Sequence, residues 1–143
     1  MPAKKRPILF EPLHLREVML PNRIAVAPLC MYSAVEGVAQ DWHFAHLSTF
    51  ARGKAGLIFV EATGVEPVGR ITPRCLGLWN WEQAEALRPA VRFIESMGCV
   101  PGIQLGHAGR KASARPPFMG GSPLNEEDAV RGEPPWQTVA PSA

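Results

Sequence analysis

The sequence is poor in everything that marks a membrane protein, a secreted protein or a nucleic-acid binder. No run of about 18 apolar residues occurs, so a membrane span is not expected. The start, Met1-Pro2-Ala3-Lys4-Lys5-Arg6, is basic, but the Ile8-Leu9-Phe10 that follows is far too short for the apolar core of a secretory leader. A cytoplasmic location is the default expectation. Lys and Arg number 15 against 13 Asp and Glu, a formal net charge of +2. Beyond Lys4-Lys5-Arg6 the basic residues form no stripe, which argues against a nucleic-acid partner. Cysteine is scarce and odd in number: Cys30, Cys75 and Cys99, widely spaced. Neither a disulfide framework nor a zinc site is suggested, and reduced thiols in a cytosolic protein fit better. No metal site and no internal repeat are expected.

What is present is a chain of 143 residues, 46% hydrophobic, enough for one domain with a real core. Three strand signals alternate with helical segments. Arg23-Ile24-Ala25-Val26 is the first. Gly56-Leu57-Ile58-Phe59-Val60-Glu61-Ala62 is a nearly continuous apolar run, which suits a strand covered on both faces of a parallel sheet. Val100 to Leu105 is the third. Between the first two, Asp41 is placed to cap a helix from Trp42 to about Arg52, with Gly53 as its left-handed stop. Between the second and third, Asn80 and Gln83 make a weak capping-box variant, and Ala84, Leu87, Val91 and Ile94 recur at helical spacing. Pro89 interrupts this stretch, which predicts a short helix, a second one starting near Pro89, and Gly98 as its stop.

The order strand, helix, strand, helix, strand reads most economically as a parallel α/β fold with crossover helices. Residues 115–143 differ: six prolines and three glycines predict a long Pro/Gly-rich loop excursion, with no helix or core strand and at most a short edge strand over Trp136 to Val139. Three parallel strands leave both outer edges unpaired. A closed eight-stranded barrel takes about 250 residues, so this chain carries roughly three of the eight units. The expectation is that residues 1–143 are the N-terminal portion of a TIM (β/α)8 barrel. Its remainder would be a separate chain, cleaved off or missing, with a complementary C-terminal barrel chain or segment as the simplest partner.

Polar and sulfur chemistry gathers where the apolar strands end, the edge at which parallel α/β folds build sites. Cys30, just past the first strand, is either a small buried hydrophobe or a functional thiol. Tyr32 is either a half-buried phenol satisfied by backbone or a donor to a substrate carbonyl. Ala62 ends the second strand, and plain packing explains it. Glu61 reads as structural. Gln104 puts an amide inside an apolar strand, where an unpaired buried amide costs about 1–3 kcal/mol; its partners are either backbone or a ligand. His43 and His46 stand at i and i+3 without an apparent third ligand, and read as ordinary helix histidines. His107 reads as fixing the loop after the third strand, and Gly120-Gly121 as a turn.

Taken together, several motifs in order resemble one known family. They are Leu9-Phe10-Glu11-Pro12, Pro21-Asn22-Arg23-Ile24, Ala27-Pro28-Leu29-Cys30-Met31-Tyr32, Asp41-Trp42-His43, Gly56-Leu57-Ile58, Val60-Glu61-Ala62-Thr63, Gly69-Arg70-Ile71-Thr72, Gln104 to Lys111 and Ala140-Pro141-Ser142-Ala143. The chain resembles the N-terminal part of old yellow enzymes, FMN-dependent ene-reductases, in the cysteine-containing, xenobiotic-reductase-like branch. That resemblance implies a complete barrel with FMN at the carboxyl ends of its strands. It also implies a ping-pong reaction: NADPH or NADH passes hydride to the flavin, and the flavin passes it to the β-carbon of an α,β-unsaturated carbonyl compound, an enone or enal.

Ala27, Pro28 and Leu29 would floor the flavin ring. The family often has Ser and Met where Ala27 and Leu29 stand, changes that keep main-chain contacts and volume. Cys30 would approach the reactive flavin edge and tune its potential, without a covalent bond. Ala62 would offer main-chain contacts and Gln104 would read the pyrimidine edge. Tyr32 would bind the substrate carbonyl. The family's phosphate loops, flavin-N1 cation, carbonyl-binding histidine pair and proton-donor tyrosine come from later strands, so Arg110 should not inherit those roles and this chain alone should lack full activity. The complete enzyme would be an oligomer. Two alternatives stay open: a related flavin barrel acting on dienoyl thioesters, although the iron–sulfur cysteine cluster usual there is absent, and a non-catalytic truncated fragment.

Overall fold

The computed structural model of the chain describes residues 6–142. Met1 to Lys5 of the basic start, and Ala143 of the last motif, lie outside the described residues. In chain order the elements are β1 (Leu13–Leu15), β2 (Val18–Leu20), β3 (Ala25–Val26), α1 (Asp41–Arg52), β4 (Leu57–Gly64), α2 (Trp81–Ser96), β5 (Val100–Gly106) and α3 (Glu126–Val130).

Strands β3, β4 and β5 form a parallel sheet in that order, with β4 central. The apolar run of β4 is buried along most of its length, as a strand covered on both faces should be. Helices α1 and α2 are the two crossovers, and they pack on one another and on the sheet. Between them and the sheet lies the core of Leu47, Ala51, Ile58, Val60, Leu76, Leu87, Ala90 and Ile94. Gly56 permits the closest approach in this region. A Cβ there would stand 2.3 Å from the main-chain oxygen of Asn22, so no larger residue fits where the chain enters β4 beside β3. Among the described residues no strand pairs with the outer edge of β3 or β5. No helix of the described residues is long and apolar enough to cross a membrane.

Several sequence expectations are corrected in detail. The first strand is shorter than Arg23–Val26, only Ala25–Val26. Helix α1 starts at Asp41 itself, with Gln40 as the capping residue; the Gln40 amide donates to His43 Nδ1 at 3.0 Å. Asp41 instead places its carboxylate in the first turn, where the helix dipole favours it. Gly53 is not the left-handed stop (φ −72°); the reversal falls on Lys54 (φ 61°). Lys54 is held there because its main-chain oxygen accepts from the Asn22 amide at 2.8 Å and its Nζ donates to Met97 O at 2.7 Å.

Helix α2 runs unbroken through Pro89. Burial of Leu87 and Ala90 on either side of the proline, and of Ile94 beyond it, outweighs the one lost backbone bond. Its predicted ends hold: Asn80 Oδ1 accepts from the Gln83 amide at 3.0 Å, and Gly98 takes the left-handed conformation (φ 73°). The excursion after residue 115 is mostly irregular but contains helix α3, which was not expected. No strand forms over Trp136 to Val139. The reason is local chemistry. Asn125 caps α3, and the buried carboxylate of Asp128 pairs with Arg115 at 2.9 Å and with Arg131. The Trp136 amide donates to Ser113 Oγ at 3.0 Å and its indole to Val68 O at 3.0 Å, pulling that segment onto the body of the chain in place of a ladder.

Candidate functional site

The carboxyl ends of β3, β4 and β5 carry every residue singled out at the strand tips. Ala27 to Tyr32 form the exit from β3. Ala62 lies near the end of β4 and stands directly opposite Gln104 of β5 in the parallel register, one step before Thr63↔Leu105 and Gly64↔Gly106. Ala62, Gly64, Gln104, Gly106 and His107 line one cavity of about 170 Å³. Tyr32 lines a second, open groove of about 540 Å³ with Ser33, Arg74, Arg131 and Glu133. The Cys30 thiol lies against the main chain of Ala62, so it bridges the exit of β3 to the first cavity. Ala27 and Leu29 are exposed and Pro28 is half-buried, on the open side of the sheet.

Gln104 sits on β5 at the edge of the described sheet, opposite Ala62. Its side chain is exposed, because β5 is the outermost strand of the sheet. An exposed amide beside the main chain of Ala62 offers one donor and one acceptor group to whatever occupies the cavity.

Cys30 is not isolated. Its thiol neighbours that of Cys75, which is 1% exposed and stands 3.4 Å from Thr72 Oγ1. The neighbouring Cys75, then burial, pushes the Cys30 thiol well above the usual range, while Cys75 itself is pulled down by the same pairing. Cys75 lies 45 residues from Cys30, on the stretch leading into α2, and nothing in the sequence signals the pairing. Burial also pushes the Tyr32 phenol up, so it stays a hydrogen-bond donor at neutral pH. Tyr32 has a left-handed backbone (φ 51°), rare for an aromatic residue, and its ring meets Phe118 edge-on at 6.2 Å.

Glu61 was read as structural, and it does tie elements together: its Oε2 accepts from the Met31 amide at 2.9 Å. Yet the carboxyl is 4% exposed and its Oε1 has no partner among the described residues. Burial raises its pKa to about 7. His43, 3% exposed, faces it with Nε2 4.0 Å from Oε2. Burial lowers the His43 pKa, which keeps the imidazole neutral. His107 fixes its loop as expected: Nδ1 accepts from the Gly109 amide at 2.9 Å and Nε2 lies 3.0 Å from Glu66 Oε1. Arg110 reaches Ser142 in the final segment. Gly120 and Gly121 both take positive φ, as a turn requires.

This geometry has close parallels in known proteins. The family described as "NADH:flavin oxidoreductase / NADH oxidase" matches residues 8–132. An NADH:flavin oxidoreductase of Gibberella zeae is 44% identical over 135 residues, which cover 94% of this chain and 32% of the relative. An NADPH dehydrogenase of Listeria welshimeri is 51% identical over 106 residues, 73% of this chain and 31% of the relative. Among solved structures, the old yellow enzyme from Trypanosoma cruzi superposes with a TM-score of 0.71 at 31% identity, covering 96% of this chain and 35% of that one. Morphinone reductase superposes with a TM-score of 0.67 at 31% identity, covering 77% and 29%. The chain thus spans about a third of the length of the curated relatives it matches. Its fold is the corresponding part of their α/β barrel.

Proposed function

The chain belongs to the NADH:flavin oxidoreductase / NADH oxidase family, and on that premise we propose that it supplies one wall of the FMN site of an NAD(P)H-dependent ene-reductase. In this reading residues 1–143 are the N-terminal portion of a flavin-binding barrel, and a complementary C-terminal segment supplies the other wall. The substrate class is α,β-unsaturated carbonyl compounds. The observation that carries the reading is the register of β4 on β5, which sets Ala62 beside an exposed Gln104 at the strand tips, with the Cys30 thiol alongside.

The residues present fit the group. A flavin ring presents a flat apolar face and one edge of alternating carbonyls and an imide N–H. The exposed Gln104 amide matches that edge in donor and acceptor type, and the main chain of Ala62 adds contacts that need only a small side chain. Ala27, Pro28 and Leu29 offer apolar surface for the face. FMN, when bound, supplies hydride acceptance and donation, which no side chain here provides. The chain's own residues position and tune. Cys30, held as a neutral thiol, is a weak sulfur donor, and Tyr32 is a neutral phenol able to donate from Oη to a substrate carbonyl oxygen.

The test is FMN titration of the chain together with its complementary barrel segment, read by quenching of flavin fluorescence. Saturable binding that Gln104→Leu weakens by about 10- to 100-fold supports the reading, the loss expected for unpaired polar groups. A preparation that stays colourless after FMN and the complement are added contradicts it.

A further inference from the structure

We propose that Glu61 is a positioning residue of the strand-tip site: it clamps the Met31 amide, holds Tyr32 in its left-handed backbone, and puts a buried carboxylate beside the Cys30 thiol. The proposal deepens the flavin-site reading and rests on it for its functional meaning.

The clamp begins in the sheet. Val60 pairs with Ile103 and Ala62 with Gln104, so Glu61 is the extra residue of a bulge in β4. A bulge re-aims the side chain it carries. Here it breaks the alternation of β4, and Val60 and Glu61 are both buried in succession. The carboxylate so turned accepts from the Met31 amide at 2.9 Å. Met31 lies between Cys30 and Tyr32, and its own oxygen accepts from Ser33 Oγ at 3.0 Å. The Ala34 amide then donates to Arg74 O at 3.0 Å. Tyr32, in a backbone conformation that costs an aromatic residue energy, is therefore pinned on both sides. Such strain persists only where the surroundings over-determine it, and among the described residues the carboxylate bonded to the Met31 amide is that of Glu61.

A carboxylate kept only for packing should have both oxygens satisfied. Glu61 does not: Oε1 makes no hydrogen bond among the described residues, although the Leu76 main chain lies near enough to favour its charged form, and His43 Nε2 is likewise unpaired. His43 Nδ1 accepts from the Gln40 amide, which leaves the ring proton on Nε2, facing Glu61 across 4.0 Å. The charge of Glu61 is thus poorly neutralised and falls on its neighbours. The titratable groups around it are His43 of α1, with His46 behind it, Cys30 and Tyr32 of the β3 exit, and Cys75. Burial favours the neutral form of both histidines, and Arg74 is already committed to Glu133 at 2.7 Å. Beside the larger effects of Cys75 and of burial, charged Glu61 adds to the rise of the Cys30 thiol, from a carboxylate bonded to the very next residue of the chain.

The test needs no flavin. Alkylation of Cys30 by iodoacetamide is followed by peptide mass spectrometry in the full chain, from pH 6 to pH 8, for the original sequence and for Glu61→Gln. Glutamine keeps an acceptor for the Met31 amide and removes the charge. The ratio of the two rates is expected to rise from near one at pH 6 to about tenfold at pH 8, the size of one charge felt across a partly buried site. A structural loosening would shift the rate by the same factor at every pH, so a flat ratio, at one or above it, overturns the proposal. Glu61→Asp keeps the charge and withdraws from Met31, and is expected to raise the rate by a pH-independent factor. It serves if Glu61→Gln does not fold, and a Glu61→Asp rate equal to the original overturns the clamp. Normal FMN binding with a flat ratio would sink this proposal alone. The expected ratio without FMN binding would sink the flavin reading alone.

Discussion

At the scale of single residues, burial and close neighbours shift the protonation of the groups at the strand tips. Cys30, Tyr32 and Glu61 are all displaced toward their protonated forms. Glu61 has a consequence for stability. An unfolded glutamate loses its proton near 4.5, whereas the buried one holds it to about 7. The folded state therefore binds the extra proton in that window. Stability is fullest below pH 4.5 and falls as pH rises to about 7, by on the order of 3 kcal/mol. Urea unfolding at pH 5 and pH 8 should show this loss, and Glu61→Gln should flatten it.

Asp128 acts in the opposite sense: hydrogen bonding to Arg115 holds it at about 2, so its contribution is present above its usual 3.8 and is lost as pH falls through 2. Cys30→Ala should leave flavin bound and change its midpoint potential in a spectroelectrochemical titration; an unchanged potential would remove Cys30 from the flavin edge. Position made Cys30, Tyr32 and Gln104 visible in the sequence, at or just past the apolar strands, whereas a site role for Ala62 came only from the family resemblance. The sequence did not show the Cys75 partner or the Glu61 clamp, since both depend on which loops fold over β4, a long-range fact that no local pattern encodes.

At the scale of elements, helices were readable where capping and periodicity agreed. Asn80 and Gly98 mark the ends of α2 as the sequence predicts, and Asn80→Ala should cost about 1 kcal/mol in thermal or urea unfolding. Pro89 misled because its local penalty was weighed without the buried face formed by Leu87, Ala90 and Ile94. The β1–β2 hairpin was also missed. Its two-residue turn, Arg16-Glu17, carries none of the Asn-Gly or Asp-Gly chemistry that announces such turns, although Arg16 takes the positive φ (55°) that they require. Helix α3 escaped because five residues among prolines and glycines give no period to read. Gly56 is the most constrained joint between elements. Gly56→Ala drives a Cβ into the Asn22 main chain and should destabilise the chain by about 1–3 kcal/mol, with loss of packing between β3 and β4.

At the scale of the whole molecule, the parallel sheet and its crossover helices were legible from the alternation of apolar runs and helical spacing. The barrel context was legible only as three units of a possible eight, because three strands do not fix how many others join them. The complete barrel came from resemblance, and the likeness to old yellow enzyme structures agrees with it. The described sheet presents two unpaired edges, with Leu29 and Leu105 55% exposed near its tips. Surface of that kind is covered in a closed barrel. On the proposed reading the flavin would lie between these tips and a complementary wall. The most direct measurement is the visible spectrum of the chain after FMN and the complementary barrel segment are added and free flavin is removed by gel filtration. A bound flavin band, one per chain and diminished by Gln104→Leu, is the predicted result. Colourless protein, or flavin retention indifferent to Gln104, would contradict it.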